Sequence, residues 1–200
     1  MTRILLVSCA LLLAACSRSE PSPLVSCPGL DGGAPVDPIL LAFLSRARAA
    51  HHLADDLEGG GDLAASAAPL ERLVQGPMPR VSGAELAPEV REVLADTYAR
   101  LADLHSRQGA FERALEDARL GLAHAREPNY FQGHLLETEG LVEERHAKAL
   151  EISDPKAAAA IRKRAIELLE RAMAVQSGVL ERAPHTAASA GTPTPAASTR

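Results

Sequence analysis

The chain has 200 residues, enough for one domain with shorter flanking segments, and 21 basic against 26 acidic side chains give it a formal charge of −5. That balance, with no clustered run of Lys and Arg, excludes the electrostatic footprint of a nucleic-acid binder. Three Phe, two Tyr and no Trp leave the apolar fraction to Ala and Leu, both strong helix formers, and strand-type runs of Val, Ile, Thr and aromatics are missing, so the chain reads as all-α.

Residues 1–16 read MTRILLVSCALLLAAC. One cation, Arg3, precedes an apolar run from Ile4 to Ala15 that closes in small residues, the three-part build of an export signal. The run falls short of the roughly 20 apolar residues that a membrane-spanning helix needs. Leu13-Ala14-Ala15-Cys16 resembles the lipobox of bacterial lipoproteins. The resemblance implies acylation of the Cys16 thiol, cleavage after Ala15 and acylation of the new amino end. Two or more acyl chains hold a protein stably where one is marginal. Ser17 stands where Asp is the usual inner-membrane retention signal, so the resemblance implies the outer membrane, facing the periplasm. Cys9 then leaves with the signal, and Cys27 is the one remaining thiol, too few for a disulfide framework or a Cys-based zinc site. Loss of Arg3 makes the chain more acidic by one unit.

Residues 16–36 hold Pro21, Pro23, Pro28-Gly29 and Gly32-Gly33-Ala34-Pro35, and are expected to form an irregular tether reaching about 60 Å when stretched. A helical domain is expected over residues 37–182, and residues 183–200, rich in Ala, Ser, Thr and Pro, are expected to be disordered. The first helix starts at Asp37-Pro38, runs to about Leu57 with Leu40, Leu41, Leu44, Ala47 and Ala50/His51 along one side, and ends at Gly59-Gly60-Gly61. The second is capped by Asp62 and carries Leu63, Ala67, Leu70 and Leu73/Val74, with Pro69 expected to kink or break it. A loop follows from Gly76 to about Leu86. The third helix, Pro88 to Arg107, repeats Val90, Val93/Leu94, Tyr98, Leu101 and Leu104/His105 at helical spacing. Gly109 separates it from a fourth at 110–124, Glu127-Pro128 from a fifth at about 129–152, and Ser153-Asp154-Pro155 from a sixth at about 155–181. Such short connections fold consecutive helices back as three antiparallel hairpins.

Residues 95–128 resemble a tetratricopeptide repeat, a 34-residue helix-turn-helix unit. The family's large aromatic falls on Tyr98, its Leu-small pair on Leu101-Ala102, its turn Gly on Gly109, its second aromatic on Phe111 and its small packing residue on Ala114. His105 departs from the usual Tyr, Ala118 from an aromatic, Gly121 from Ala, and Pro128 comes about two residues late. Extended over 38–181 as architecture, the resemblance implies three hairpins stacked as a short solenoid whose concave groove binds a protein segment. The groove positions of the family fall on Asp96, Ala99, Asp103 and Ser106, with Arg100 and Arg107 adjacent. Asp96/Arg100 and Asp103/Arg107 are also spaced i,i+4, as ordinary surface ion pairs are.

Glu143-Glu144-Arg145-His146 contains one Glu-x-x-His, a unit that holds iron or manganese in helical bundles when a second copy and further carboxylates converge on it. His51 and Asp55 lie one turn apart but are too few to complete a zinc site. No P-loop, Gly-x-Ser-x-Gly or His-Glu-x-x-His occurs. No catalytic residue, metal or cofactor is expected beyond the lipid on Cys16. The expected function is a lipid-anchored adaptor that binds or positions a protein of the cell envelope. The resemblance associates such proteins with envelope assembly. Alternatives are a helical-bundle metal protein or enzyme using Glu143 and His146, and a structural envelope spacer.

Overall fold

The computed structural model describes residues 37–80 and 85–182. Cys16, Cys27 and the expected signal, tether and carboxy-terminal tail lie outside them. Six helices carry almost all of the described chain: α1 (Pro38–Gly59), α2 (Leu63–Gln75), α3 (Pro88–Arg107), α4 (Phe111–His124), α5 (Tyr130–Leu150) and α6 (Pro155–Arg182). The all-α reading holds. Among the described residues the one extended pairing is an isolated antiparallel bridge, Arg80 with Leu86.

The helices begin where short oxygen-bearing side chains can accept free backbone N–H groups. Asp37 accepts from Ile39 N–H, Asp62 from Ala65, Asn129 from Gln132 and Asp154 from Ala157. The α1–α2 and α3–α4 connections share one device. Gly61 and Gly109 adopt φ of 85° and 80°, and the residue after each donates its N–H five residues back, Asp62 to Leu57 O and Ala110 to His105 O. A left-handed residue there closes the helix and reverses the chain, which glycine does without a Cβ penalty.

Packing follows the chain closely. Each helix lies on the next, α3 also touches α1 and α5, and no other two helices approach at the backbone level among the described residues. Phe43, Ala47, Leu73, Val90 and Leu94 form one core cluster, Ala54, Ala67, Leu70, Leu101 and Leu104 a second, both joined by Tyr98. Ala102, Ala114, Ala118 and Val142 carry the core across α3, α4 and α5.

Two details of the sequence reading need correction. The buried side of α1 is Phe43, Ala47 and Ala54, with Leu40 and Leu44 partly covered and Leu41 exposed. The contact stripe is thus rotated toward the aromatic ring, the largest apolar surface on the helix. α2 also runs unbroken through Pro69, whose ring is buried. Burial of Ala67, Leu70 and Leu73 beside it offsets the hydrogen bond that a proline removes.

The α5–α6 contact rests on small residues in a seven-residue register. A Cβ on Gly133 would meet Gln176 Cγ at 2.8 Å and lie 3.7 Å from Ala172 O. One on Gly140 would meet Leu169 Cγ at 2.9 Å and Ala165 O at 3.2 Å. The same antiparallel register places Ala147 opposite Ala158, and Ala147, Ala158, Ala165 and Ala172 are all buried. Two backbones approach closely only where neither carries bulk at the crossing.

Candidate partner-binding surface

The six residues singled out on α3 have three different fates. Ala99 and Ser106 are inside, 2 % and 3 % exposed. Ala99 packs with Ala95, Ala125 and Leu135, and the Ser106 hydroxyl donates to Asp103 O while accepting from Arg145 Nη1 at 2.7 Å. The expectation that these two line an open groove is therefore corrected: α5 lies over this side of α3 and covers them. Arg100, Asp103 and Arg107 are brought together, but chiefly with one another and with neighbouring helices. Arg100 reaches Asp55 on α1 at 3.0 Å and also pairs with Glu58. Arg107 pairs with the same Glu58 and with Asp103 at 3.3 Å, and Asp103 meets Arg145 of α5 at 2.9 Å. Of the two i,i+4 pairs in the sequence, Asp103/Arg107 forms, whereas Arg100 turns to α1. Asp96 is half-buried and lies close enough to His51 to favour its charged form.

A continuous charged seam thus crosses the first helices of the three pairs, from Asp55 on α1 to Arg145 on α5. Ion pairs this exposed contribute little singly, about 0.2–1 kcal/mol. Together they bridge α1 to α3 and α3 to α5, and they leave few unsatisfied charges there for a ligand.

A buried polar cluster sits behind the seam. His105, 2 % exposed, directs Nδ1 at Asp117 Oδ2 (2.6 Å) and Nε2 at Glu71 Oε1 (3.3 Å). Arg113 also pairs with Glu71. One imidazole on α3 therefore joins α2 and α4. The sequence places His105 beside Leu104 at the edge of the apolar stripe of α3, with no partner for its nitrogens. The available signal was its occupation of a position where the repeat family carries Tyr, another large side chain with a polar end.

Gly121 is enforced by packing against other helices. A Cβ there would stand 2.4 Å from Leu135 Cδ2 and 3.1 Å from Tyr98 Cβ, so a leucine of α5 fills the space that an alanine methyl would use.

Glu143 and His146 point to different neighbours. Glu143, 5 % exposed, accepts from Arg164 Nη2 on α6 at 2.9 Å, while the His146 ring stacks on Phe111 of α4 with centroids 4.6 Å apart. Burial, and then the nearby Glu143 charge, push the Glu139 carboxyl above the usual range, with Arg171 and Arg164 acting the other way. Among the described residues no three His, Cys, Asp or Glu side chains converge as metal ligands, and no helix is long and apolar enough to cross a membrane. His51 is half-buried and bonded through Nε2 to Thr97 Oγ1 at 3.0 Å. Because the Thr97 hydroxyl donates to Val93 O, the proton in that contact sits on Nε2.

Comparison with protein-family models, curated proteins and solved structures finds no match to this chain.

Proposed function

We propose that this chain is a lipid-anchored adaptor of the cell envelope, held at the periplasmic side of the outer membrane through Cys16 and binding a protein partner through a short solenoid of helical hairpins. The observation that carries the reading is Leu13-Ala14-Ala15-Cys16 at the end of the apolar run Ile4 to Ala15, placed ahead of a Pro- and Gly-rich stretch and a helical region. Acyl chains on Cys16 would confine the helices to a membrane surface, and the intervening stretch would let them search for a partner.

The repeat-like part of the reading is supported by three features. Residues 95–128 carry the tetratricopeptide-like positions Tyr98, Leu101-Ala102, Gly109, Phe111 and Ala114. The turns at Gly61 and Gly109 are built alike, and among the described residues each helix pair touches only the pairs adjacent in sequence. Ala102 and Ala114 are fully buried in one cluster at the crossing of α3 and α4. In such arrays each unit covers its neighbour and long outer surfaces stay available for recognition.

Cys16→Ser tests the anchor. Cells fed a clickable palmitate analogue should label the wild-type chain in the membrane fraction, and the variant should remain unprocessed and unlabelled. Equal labelling and processing of the two would refute the anchoring. In-cell crosslinking of the wild-type chain that recovers no specific envelope protein would refute the adaptor role.

A further inference from the structure

We propose that the partner surface is the trough between α4 and α6, floored by α5, and that it takes a short acidic peptide segment with an aliphatic anchor. This rests on the adaptor reading and moves its binding site off the charged face of α3. The trough encloses about 530 Å³. Leu122 and Ala125 form the α4 wall, Leu136 the floor, and Ala174 and Val175 the α6 wall. Arg126 and Arg171 stand exposed on opposite rims, and neither has a carboxylate ion-pair partner among the described residues, although Arg171 lies near enough to Glu139 to stabilise its charge.

Two further hollows adjoin the trough, both beside the connection from α4 to α5. Arg126 is shared with a hollow of about 200 Å³ that also takes in Arg91 and His124, and whose acidic members are Glu92 and Glu127. Arg91 Nε is buried there without a hydrogen-bond partner. His124 is held below the ordinary imidazole range, first by burial and then by the neighbouring guanidiniums of Arg126 and Arg91. Ala174 and Val175 are shared with a hollow of about 460 Å³ that takes in Pro128, Glu181 and Arg182, and Arg182 Nη2 donates to Pro128 O at 3.0 Å. From Arg171 to Arg182 the α6 wall is roughly 16 Å long at about 1.5 Å per residue. That accommodates about five residues of extended peptide.

An aliphatic side chain lying between Leu122 and Val175 would leave water, while flanking Asp or Glu side chains would meet the rim guanidiniums, which bind carboxylates in a planar fork. A fatty acyl chain fits less well, because a trough open along its length would leave one side of the chain wet. A membrane surface also fits less well, because the apolar residues are recessed between helices.

The test is selection of random peptides of roughly ten residues on the full chain held in phosphatidylcholine nanodiscs, followed by anisotropy titration of the selected peptide. Enriched sequences should combine Leu, Ile or Val with Asp or Glu. Their affinity should fall about ten-fold with Arg126→Glu/Arg171→Glu and weaken with salt. Ala174→Gln, at an exposed position that leaves the core untouched, should weaken binding independently. Basic or unenriched sequences, or affinities unchanged in both variants, would overturn the assignment. So would phosphatidylglycerol vesicles that displace the peptide and depend equally on Arg126 and Arg171. If the charge-reversed chain still crosslinks the wild-type partner in cells, the trough falls and the adaptor reading stands.

Discussion

His51 and His124 lie where a charged imidazole is disfavoured, both mainly through burial. Nearby carboxylates of Asp96 and Asp55 partly counter this at His51, whereas Arg126 and Arg91 reinforce it at His124. Folding therefore depresses both pKa values, and the unfolded chain binds protons first as pH falls through the unperturbed value of 6.5. Their contribution is complete above that pH and is lost progressively below it, down to the folded-state values. Melting temperature should be flat between about pH 7 and 8 and decline from about 6.5 toward 5, with a shallower decline in the double variant His51→Gln/His124→Gln. An undiminished slope in that variant would assign the acid sensitivity to other groups.

At the scale of the element, the α5–α6 pair depends on what is missing from its side chains. Gly140 faces Ala165 O and Leu169, and Gly133 faces Ala172 O and Gln176. A glycine inside a helix costs about 1 kcal/mol of helix propensity relative to alanine. The close approach offsets that cost by bringing α6 fully onto α5. Gly140→Leu should improve propensity and still lose about 1–3 kcal/mol in urea unfolding, because the new side chain forces the helices apart. Gly109→Ala should lose about 1–2 kcal/mol for a different reason, since its φ of 80° strains any Cβ although space around it is open. Heptad spacing of Gly133, Gly140 and Ala147 is visible in the sequence, yet only a facing helix with Ala158, Ala165 and Ala172 gives it meaning.

Across the whole molecule, side-chain polar contacts join what apolar clusters hold locally. Arg100 and Arg107 converge on Glu58, linking α1 to α3, and Arg145 links α3 to α5 through Asp103 and Ser106. Arg100→Ala should cost about 1 kcal/mol, less at high salt. The exchange Arg100→Glu/Glu58→Arg should recover part of the loss from Arg100→Glu alone in a double-mutant cycle. Full additivity of the two single variants would mean that the pair carries no coupling between α1 and α3. His105 does related work inside, where Glu71 and Asp117 reach it from α2 and α4.

The helices were legible because they depend on local chemistry. Asp37, Asp62 and Asp154 cap, Gly61 and Gly109 turn, and apolar residues recur at helical spacing, all within a few residues of chain. The all-α class and the six segments therefore follow from sequence alone, with ends displaced by a residue or two. Which way each helix faces depended on partners far away in the chain. Ala99 and Ser106 look like outward positions until α5 covers them, Leu41 looks inward until Phe43 takes the contact, and Arg100 has a local acid in Asp96 but finds α1 instead. The trough between α4 and α6 has no sequence signature, because its walls come from helices that meet only through α5. Local free energies decide where a helix starts and stops, whereas burial and charge pairing across distant segments decide which of its sides remains open to a ligand.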